Sequence, residues 1–196
     1  MPKAAAERAA RAFVGLGANL GEPARAIAAA IQAIAALAGT RLVAVSSLYR
    51  SAPVDAGGPD FLNAVAEIRT ALEPHALLRE LQAIEHGQGR ERPFRNAPRT
   101  LDLDLLLYDE LVLHSAELEL PHPRMHERAF VLRPLAELDA SLRIPGRAPL
   151  DALLLACAQQ RVDAVMPSAA LLERSLCASV ASEHDALAGA TPGRAA

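Results

Sequence analysis

The chain has 196 residues, of which 52% are hydrophobic, and a formal net charge of −3. This length and composition suffice for one well-buried core, so we expect a single domain. The small negative charge argues against non-specific binding to nucleic acid or to an anionic membrane, and no apolar run reaches the roughly 20 residues that span a bilayer. The two cysteines, Cys157 and Cys177, lack metal-ligand spacing and predict a reduced, cytoplasmic protein.

Strand and helix signals alternate through the first half of the chain. They predict a buried strand at Ala12–Gly17, a helix that opens near Pro23 and stops at Gly39, a strand at Thr40–Ser51, a strand at Phe61–Leu72, an amphipathic helix at Glu73–His86 and a strand at Leu101–Tyr108. This β-α-β-β-α-β order predicts an α+β, ferredoxin-like antiparallel sheet with helices packed on one face. The other face would remain open for a ligand.

The rest of the chain predicts a helical extension with tails. Leu120–Asp139 has the pattern of a loop, a turn and a helix, and Pro149–Ala158 that of a short final helix. We expect residues 1–11 to be a flexible leader, without the apolar segment of a signal peptide, and residues 12–167 to form the one folded domain. Residues 168–196 are rich in Ala and Ser, and we expect them to be mostly disordered.

The stretch "LDLDLLL" places two acids in a strand. Side chains two residues apart share a face, so Asp102 and Asp104 project together. Two such carboxylates repel each other, and a divalent cation relieves this; Mg²⁺ binds one or two carboxylates and completes its shell with water and phosphate oxygens. The alternative is the solvated face of an edge strand, but the run Leu105–Leu107 favours burial on both faces. We therefore expect an inner strand with a metal-binding acid pair.

The loop before this strand is rich in arginine, with Arg90, Arg92, Arg95 and Arg99 among glycines and prolines. Lys3 is the only lysine, so a Walker A phosphate loop is excluded and arginine must bind any phosphate. An anion bound between the loop and the metal pair would account for both. A nucleic-acid-binding loop is the alternative, which the low aromatic content and the net negative charge disfavour.

Two further motifs surround these features. "LPHPRMHERAF" adds a third cationic contribution through His122, Arg124 and Arg128. "GLGANLG" follows a strand and precedes a helix, as the dinucleotide-binding glycine motif does. Its glycines are spaced one residue too widely for that motif, and the ribose-binding acid after the second strand is missing, so we interpret it as a tight turn.

Together these segments resemble the 6-hydroxymethyl-7,8-dihydropterin pyrophosphokinase family. The motifs that carry the resemblance are "GLGANLG", "SSLYRSAPV", "DFLNAVAEIRT", "IEHGQGRER", "NAPRTLDLDLLLY" and "LPHPRMHERAFVLRPL". They occur in order over about Ala12 to Leu138. Some members have Trp-Gly-Pro before the last arginine of the loop, where this chain has Asn96-Ala97-Pro98.

The resemblance implies an enzyme that transfers diphosphate from ATP to the hydroxymethyl group of the pterin and releases AMP. It implies two Mg²⁺ ions on Asp102 and Asp104. The implied catalytic residues are Arg90, Arg92 and Arg99. The implied ATP-binding residues are Gln82, Glu85, Arg90, Arg99, Leu105, His122 and Arg128. The implied pterin-binding residues are Ser51, Ala52, Val54, Phe61, Asn63 and Phe130, with the pterin between the two phenylalanine rings.

Two other functions remain open from the residues alone. A metal-dependent nucleotidyltransferase also carries an Asp-x-Asp pair on a strand, although a Gly-Ser turn usually comes shortly before it. A ferredoxin-like sensor domain would bind a small ligand without turnover. For partners we expect ATP and the pterin, no nucleic acid and no membrane, with the chain acting as a monomer.

Overall fold

The computed structural model describes residues 9–53, 58–88 and 100–175. The strands are β1 (Ala10–Ala18), β2 (Thr40–Val45), β3 (Leu48–Ser51), β4 (Phe61–Thr70), β5 (Asp102–Tyr108), β6 (Leu113–His114), β7 (Glu119–Leu120) and β8 (Val162–Met166). The helices are α1 (Pro23–Ala35), α2 (Pro74–Gly87), α3 (Ala129–Leu138), α4 (Leu150–Ala156) and α5 (168–175), with a 3₁₀ turn at Met125–Glu127. Among the described residues, no helix has both the length and the apolar character to cross a membrane.

The main sheet has the strand order β5-β1-β4-β3-β8, and β2 also pairs with β4. All of these pairs are antiparallel. The predicted α+β fold with an antiparallel sheet and helices packed on it is confirmed. The predicted strand at Thr40–Ser51 is two strands, because the strand conformation is interrupted at Ser46 and Ser47. Strand β3 then continues the pairing with β4.

Helices α1 and α2 cover one face of the sheet. In α1 the buried residues Ile27, Ile31 and Ile34 recur at helical spacing, and in α2 Leu77 and Leu81 do the same. They pack against alternate strand residues such as those of β1, whose buried members on this face are Ala12, Val14, Leu16 and Ala18. This is the first core.

The other face was expected to be open, but it is partly covered. A second core contains Phe13 and Val65 from the sheet together with Leu132 and Leu135 from α3 and Leu150 from α4. The C-terminal helical extension therefore folds back onto the sheet. What remains exposed on this face is the end of the sheet near the start of α3, and that end is where the pocket lies.

Strand β5 is not the inner strand that its apolar run predicted. It stands first in the strand order, beside β1. Its apolar residues are buried because each face of the sheet carries its own core: Leu103 and Leu105 belong to the first, while Leu106 and Leu107 belong to the second. A shift in the β1–β5 register at Phe13/Val14 leaves one extra residue on β5 and puts both of the last two leucines in the second core.

Both expected tail boundaries differ from the structure. Strand β1 begins at Ala10, and the Arg11 guanidinium contacts Glu67 at 2.8 Å and Asp139 at 2.9 Å, so the leader boundary at residue 11 is wrong. Residues 168–175 are helical and Leu171 is fully buried in the first core, so the disordered tail does not start at residue 168. Residues 1–8 and 176–196 lie outside the described residues.

Helix α3 is fastened to the sheet at the break between β2 and β3. The Glu137 carboxylate accepts hydrogen bonds from the Ser47 backbone N–H at 2.9 Å, the Ser47 hydroxyl at 2.8 Å and the Tyr49 hydroxyl at 2.8 Å. Burial, reinforced by this carboxylate, raises the pKa of Tyr49 to about 12. The bonds fix the position of α3, whose first turn lines the pocket.

Candidate active site

Strand β1 forms the floor of the pocket. It lies between β5 and β4, the two strands that carry predicted site residues. Gly17 lies opposite Asp102 of β5 and Asn63 of β4, and Gly15 lies opposite Asp104 and Val65. A Cβ atom at Gly17 would lie 3.5 Å from the Asn63 Oδ1 atom. The glycines therefore leave open space on this face that side chains would fill. Gly15 and Gly17 belong to the strand rather than to the tight turn we expected; Gly21, with a φ of +62°, is in the turn.

The two acids of β5 lie on this face, as predicted. Asp102 and Asp104 are half-buried and both line the pocket. Among the described residues, no cluster of three or more His, Cys, Asp or Glu side chains could hold a metal. Two carboxylates nevertheless fit Mg²⁺, which draws its remaining ligands from water and phosphate oxygens.

His122 stands beside the acid pair, with Nε2 at 3.9 Å from the Asp104 carboxylate. Burial, followed by repulsion from Arg128, lowers its pKa to about 4, so the imidazole is neutral at pH 7. The 3.9 Å contact is therefore not an ion pair. Because Nδ1 accepts the Arg124 backbone N–H at 3.2 Å, the proton of the neutral ring lies on Nε2. His122 is thus a hydrogen-bond donor next to the acids.

Two arginines line the pocket from the segment around the 3₁₀ turn. Arg128 is the residue before α3, and its guanidinium lies 5.6 Å from the centre of the Phe130 ring. Arg124 precedes the 3₁₀ turn and lines the same pocket. The sequence resemblance did not assign a role to Arg124, although its motif had marked it as a cation.

The remaining walls are aromatic and amide-bearing. Phe61 at the start of β4 and Phe130 in the first turn of α3 both line the pocket. Asn63 is 5% exposed, and its amide donates a hydrogen bond to the Ser51 hydroxyl at 3.0 Å. Ala52 follows at the end of β3. These are five of the six residues predicted to bind the pterin, and the structure brings them together.

Some predicted site residues within the described ranges do not line this pocket, and others lie outside those ranges. Leu105 is buried in the first core, and Glu85 is buried with 2% exposure in α2. Gln82 is exposed on α2. Val54, Arg90, Arg92 and Arg99 lie outside the described residues. The pocket also includes residues that carried no sequence prediction as site residues, among them Gly15, Gly17, Val65 and Val131. For Gly15, Gly17 and Val65 only the strand register, which the sequence does not state, could have indicated a place in the pocket, whereas Val131 lies in α3.

Comparison with protein families gives a match over residues 13–140 to 7,8-dihydro-6-hydroxymethylpterin-pyrophosphokinase. The match covers more than half of the chain, and every residue that lines the pocket falls inside it. The chain belongs to this pyrophosphokinase family. The resemblance noted in the sequence is thereby confirmed.

Curated relatives of the chain are named as pyrophosphokinases of the same pterin substrate. A 2-amino-4-hydroxy-6-hydroxymethyldihydropteridine pyrophosphokinase of Pseudomonas aeruginosa is 52% identical over 148 residues, which are 75% of this chain and 91% of the relative. One from Haemophilus influenzae is 46% identical over 136 residues, covering 69% of this chain and 85% of the relative. The chain therefore spans most of the length of both.

Solved structures share the fold of this pyrophosphokinase at much lower identity. The Plasmodium falciparum HPPK-DHPS A437G structure with SDX-DHP aligns with a TM-score of 0.62 at 12% identity. The alignment covers 78% of this chain and 46% of that one, so this chain spans less than half the length of the Plasmodium protein.

Proposed function

We propose that the pocket is an active site at which the chain transfers diphosphate from ATP to 6-hydroxymethyl-7,8-dihydropterin, giving AMP and the pterin diphosphate, a step of folate biosynthesis. This is the reaction of the pyrophosphokinase transferases to which the chain belongs. The observation that carries the proposal is the register of three strands. It puts an acid pair on β5, a bare glycine floor on β1, and an amide with an aromatic ring on β4.

The register suggests where each substrate lies. Neighbouring strands are about 4.8 Å apart, so Asp102 and Asn63, each one strand away from Gly17, are separated by about 10 Å. We assign the β5 side to the triphosphate and the β4 side to the pterin. The hydroxymethyl oxygen and the β-phosphorus then meet above Gly17.

The pterin site consists of two rings and a polar edge. Phe61 and Phe130 would stack on the two faces of the flat heterocycle. The Asn63 carboxamide, held by Ser51, would bind the hydrogen-bonding edge of the ring, with the backbone at Ala52 beside it. Val54 remains a predicted contact of the same edge.

The nucleotide site consists of the acid pair and the surrounding donors. Asp102 and Asp104 would hold two Mg²⁺ ions, which when bound neutralise the phosphate charge and polarise the β-phosphoryl group. His122 would donate from Nε2 to a phosphate oxygen, and Arg128 would bind another. Gln82 and Leu105 remain predicted ATP contacts. Arg90, Arg92 and Arg99 remain the predicted catalytic arginines, and Arg90 and Arg99 are also predicted to bind ATP.

The reaction is an in-line substitution at the β-phosphorus. The hydroxymethyl oxygen forms a bond to that phosphorus, the bond to the oxygen bridging the α- and β-phosphates breaks, and AMP leaves with that oxygen. Such a transfer depends mainly on positioning and on charge stabilisation. Arg124, Arg128 and His122 would stabilise the charge that develops on the phosphate oxygens. With a pKa of about 4, His122 is a weak base, so the proton of the attacking hydroxyl would pass to solvent water rather than to His122.

We also propose that the chain acts as a monomer in the cytoplasm. Cys157 is buried as a free thiol, which suits a reducing compartment. Binding of nucleic acid or membranes is not part of the proposed function, in keeping with the net charge of −3.

The test is to incubate the purified chain with ATP, the hydroxymethyl pterin and Mg²⁺ and to identify the products by chromatography and mass spectrometry. We expect AMP and pterin diphosphate in equal amounts. Pyrophosphate release with a nucleotide attached to the acceptor would indicate a nucleotidyltransferase instead. Binding of the pterin without turnover would indicate a sensor domain. Omission of the pterin is the control for ATP hydrolysis.

A further inference from the structure

Glu85 is a buried acid that is not among the described residues lining the pocket. It lies near the end of α2 on the same stripe as Leu77 and Leu81, and it is 2% exposed. Acids are rarely buried to this extent, because removing a carboxyl group from water costs free energy unless hydrogen bonds compensate. A leucine at this position would pack against the first core without that cost. The presence of an acid therefore calls for an explanation in its contacts.

One of its contacts is with the strand that carries the acid pair. The Leu103 backbone N–H donates a hydrogen bond to the Glu85 Oε1 atom at 2.7 Å. Leu103 is the residue between Asp102 and Asp104. Strand β5 lies at an edge of the sheet. Strand β1 pairs with it on one side, and the Glu85 carboxyl group binds it from helix α2. A second hydrogen bond, from the His122 backbone N–H to the Leu106 carbonyl at 2.9 Å, holds the same strand further along.

This arrangement ties the backbone between the two acids to a rigid helix. Asp102 and Asp104 project to the pocket face, whereas Leu103 projects to the first core. Any rotation or slide of β5 at Leu103 would change the separation and direction of the two carboxylates. Groups that hold metal ligands in place commonly affect metal affinity or activity by 10–100-fold.

We propose that Glu85 is a positioning residue: through the Leu103 N–H it sets the geometry of the acid pair, without contacting the nucleotide. This differs from the role that the resemblance implied, in which Glu85 binds ATP. The inference rests on the proposed function in one respect, that Asp102 and Asp104 bind the metal–nucleotide complex.

The test compares Glu85→Gln, which keeps an acceptor oxygen, with Glu85→Leu, which removes the acceptor and puts an apolar side chain of similar size in its place. Glu80→Gln, an exposed acid on the same helix, is the matched control. Two quantities are measured: exchange of the Leu103 amide hydrogen by NMR without metal or nucleotide, and binding of Mn²⁺ with α,β-methylene-ATP by calorimetry. Thermal unfolding is recorded for each variant.

We expect Glu85→Leu to speed Leu103 amide exchange and to weaken Mn²⁺–nucleotide binding by about 10–100-fold. Glu85→Gln should remain within about 3-fold of the parent, which is the rescue expected when the acceptor matters more than the charge. Wild-type Mn²⁺–nucleotide binding by Glu85→Leu would overturn the inference. So would a loss in Glu85→Gln while the Leu103 amide stays protected, because Glu85 would then contact the ligand. That second comparison stands even if Glu85→Leu does not fold.

The two proposals fail in different ways. If the unaltered chain does not bind Mn²⁺ with the nucleotide analogue, the proposed function is wrong. If it binds them and the Glu85 variants do not follow the pattern above, the positioning role alone is wrong.

Discussion

Asp102 and Asp104 are the residues on which the proposed binding of the nucleotide should depend most. They face the same pocket from β5, and the hydrogen-bond donors near them are arginine side chains and a neutral histidine rather than lysines. A carboxylate can hold Mg²⁺ with its full charge, whereas an amide of the same size cannot. The pair therefore gives the sharpest single-residue test of the metal site.

Asp102→Asn or Asp104→Asn should lower kcat by about 100-fold or more, because each removes a ligand that stabilises the charged transition state. The measurement is steady-state kinetics at saturating Mg²⁺, with circular dichroism to show that the fold persists. Asp151→Asn, an exposed acid in the first turn of α4, is the control and should leave kcat unchanged. Unchanged rates in both β5 variants would refute the assignment of the metal site.

Phe61→Ala should weaken pterin binding by about 1–3 kcal/mol, because it removes one stacking wall. This corresponds to an increase of about 5- to 150-fold in the pterin Kd, measured by calorimetry. The affinity for α,β-methylene-ATP should stay the same. Leu62→Ala, a neighbour that faces the first core, is the control. If Phe61→Ala loses the nucleotide and retains the pterin, the two binding regions have been exchanged in our assignment.

At the scale of elements, the pocket depends on how α3 is held. The helix contributes Phe130 and Val131 to the pocket, and Glu137 at its other end binds Ser47 and Tyr49. Tyr49 lies in β3, and the last residue of that strand, Ser51, accepts a hydrogen bond from the Asn63 amide. Glu137 thus connects two walls of the proposed pterin site from outside it.

Glu137→Ala should lower the free energy of unfolding by about 1–3 kcal/mol through the loss of these hydrogen bonds. It should also lower the pKa of Tyr49 from about 12 toward the ordinary value of 10, without reaching it, because burial is the larger cause and remains. A raised tyrosine pKa stabilises the fold fully below pH 10, and this contribution is lost as the pH rises toward 12.

Urea unfolding and absorbance titration of the tyrosines measure the two effects. The titration is simple to interpret because the chain has two tyrosines and no tryptophan. Glu80→Ala on the exposed face of α2 is the control. A Tyr49 pKa unchanged in Glu137→Ala would mean that the carboxylate does not bind the phenol in solution.

The sequence predicted four elements of the fold better than it predicted strand β5 and the break between β2 and β3. Alternation and helical spacing located β1, α1, β4 and α2, since every second residue of each strand and one stripe of each helix pack in the first core. The position of β5 was wrong because an apolar run reports burial on the two faces of the sheet, which the two cores supply, and not whether strands pair along both of its edges. The break at Ser46 and Ser47 was missed because the Ser46 hydroxyl accepts the Val65 N–H, a contact between distant residues.

For the whole molecule, the ends of the described chain add to its stability. Arg11 joins β1 to Glu67 and to Asp139 after α3, and α5 places Leu171 in the first core. Neither was predicted. The first segment reads as Ala-rich and charged, and α5 has weak periodicity, so that burial of a single leucine depends on the surface against which it packs.

Leu171→Ala should lower the free energy of unfolding by about 2–5 kcal/mol, because it leaves a cavity in the first core. Leu155→Ala in α4 removes the same atoms from a side chain that is 77% exposed, and should change stability by less than about 0.5 kcal/mol. Urea unfolding measures both. Equal effects of the two substitutions would show that α5 does not pack against the sheet in solution.

The acid pair, both phenylalanines and Asn63 were all predicted from the sequence and meet in the pocket. The glycine floor was not, because it requires the register of β1 against both neighbours. The central claim is that one pocket over this floor holds the metal–nucleotide complex at β5 and the pterin at β4.

The most direct measurement is a crystal structure of the chain with Mg²⁺, α,β-methylene-ATP and the hydroxymethyl pterin. We predict metal density on the carboxylates of Asp102 and Asp104, the pterin between Phe61 and Phe130, and its hydroxymethyl oxygen directed at the β-phosphorus above Gly17. Metal and nucleotide bound away from β5, or the pterin bound outside the two rings, would contradict the claim.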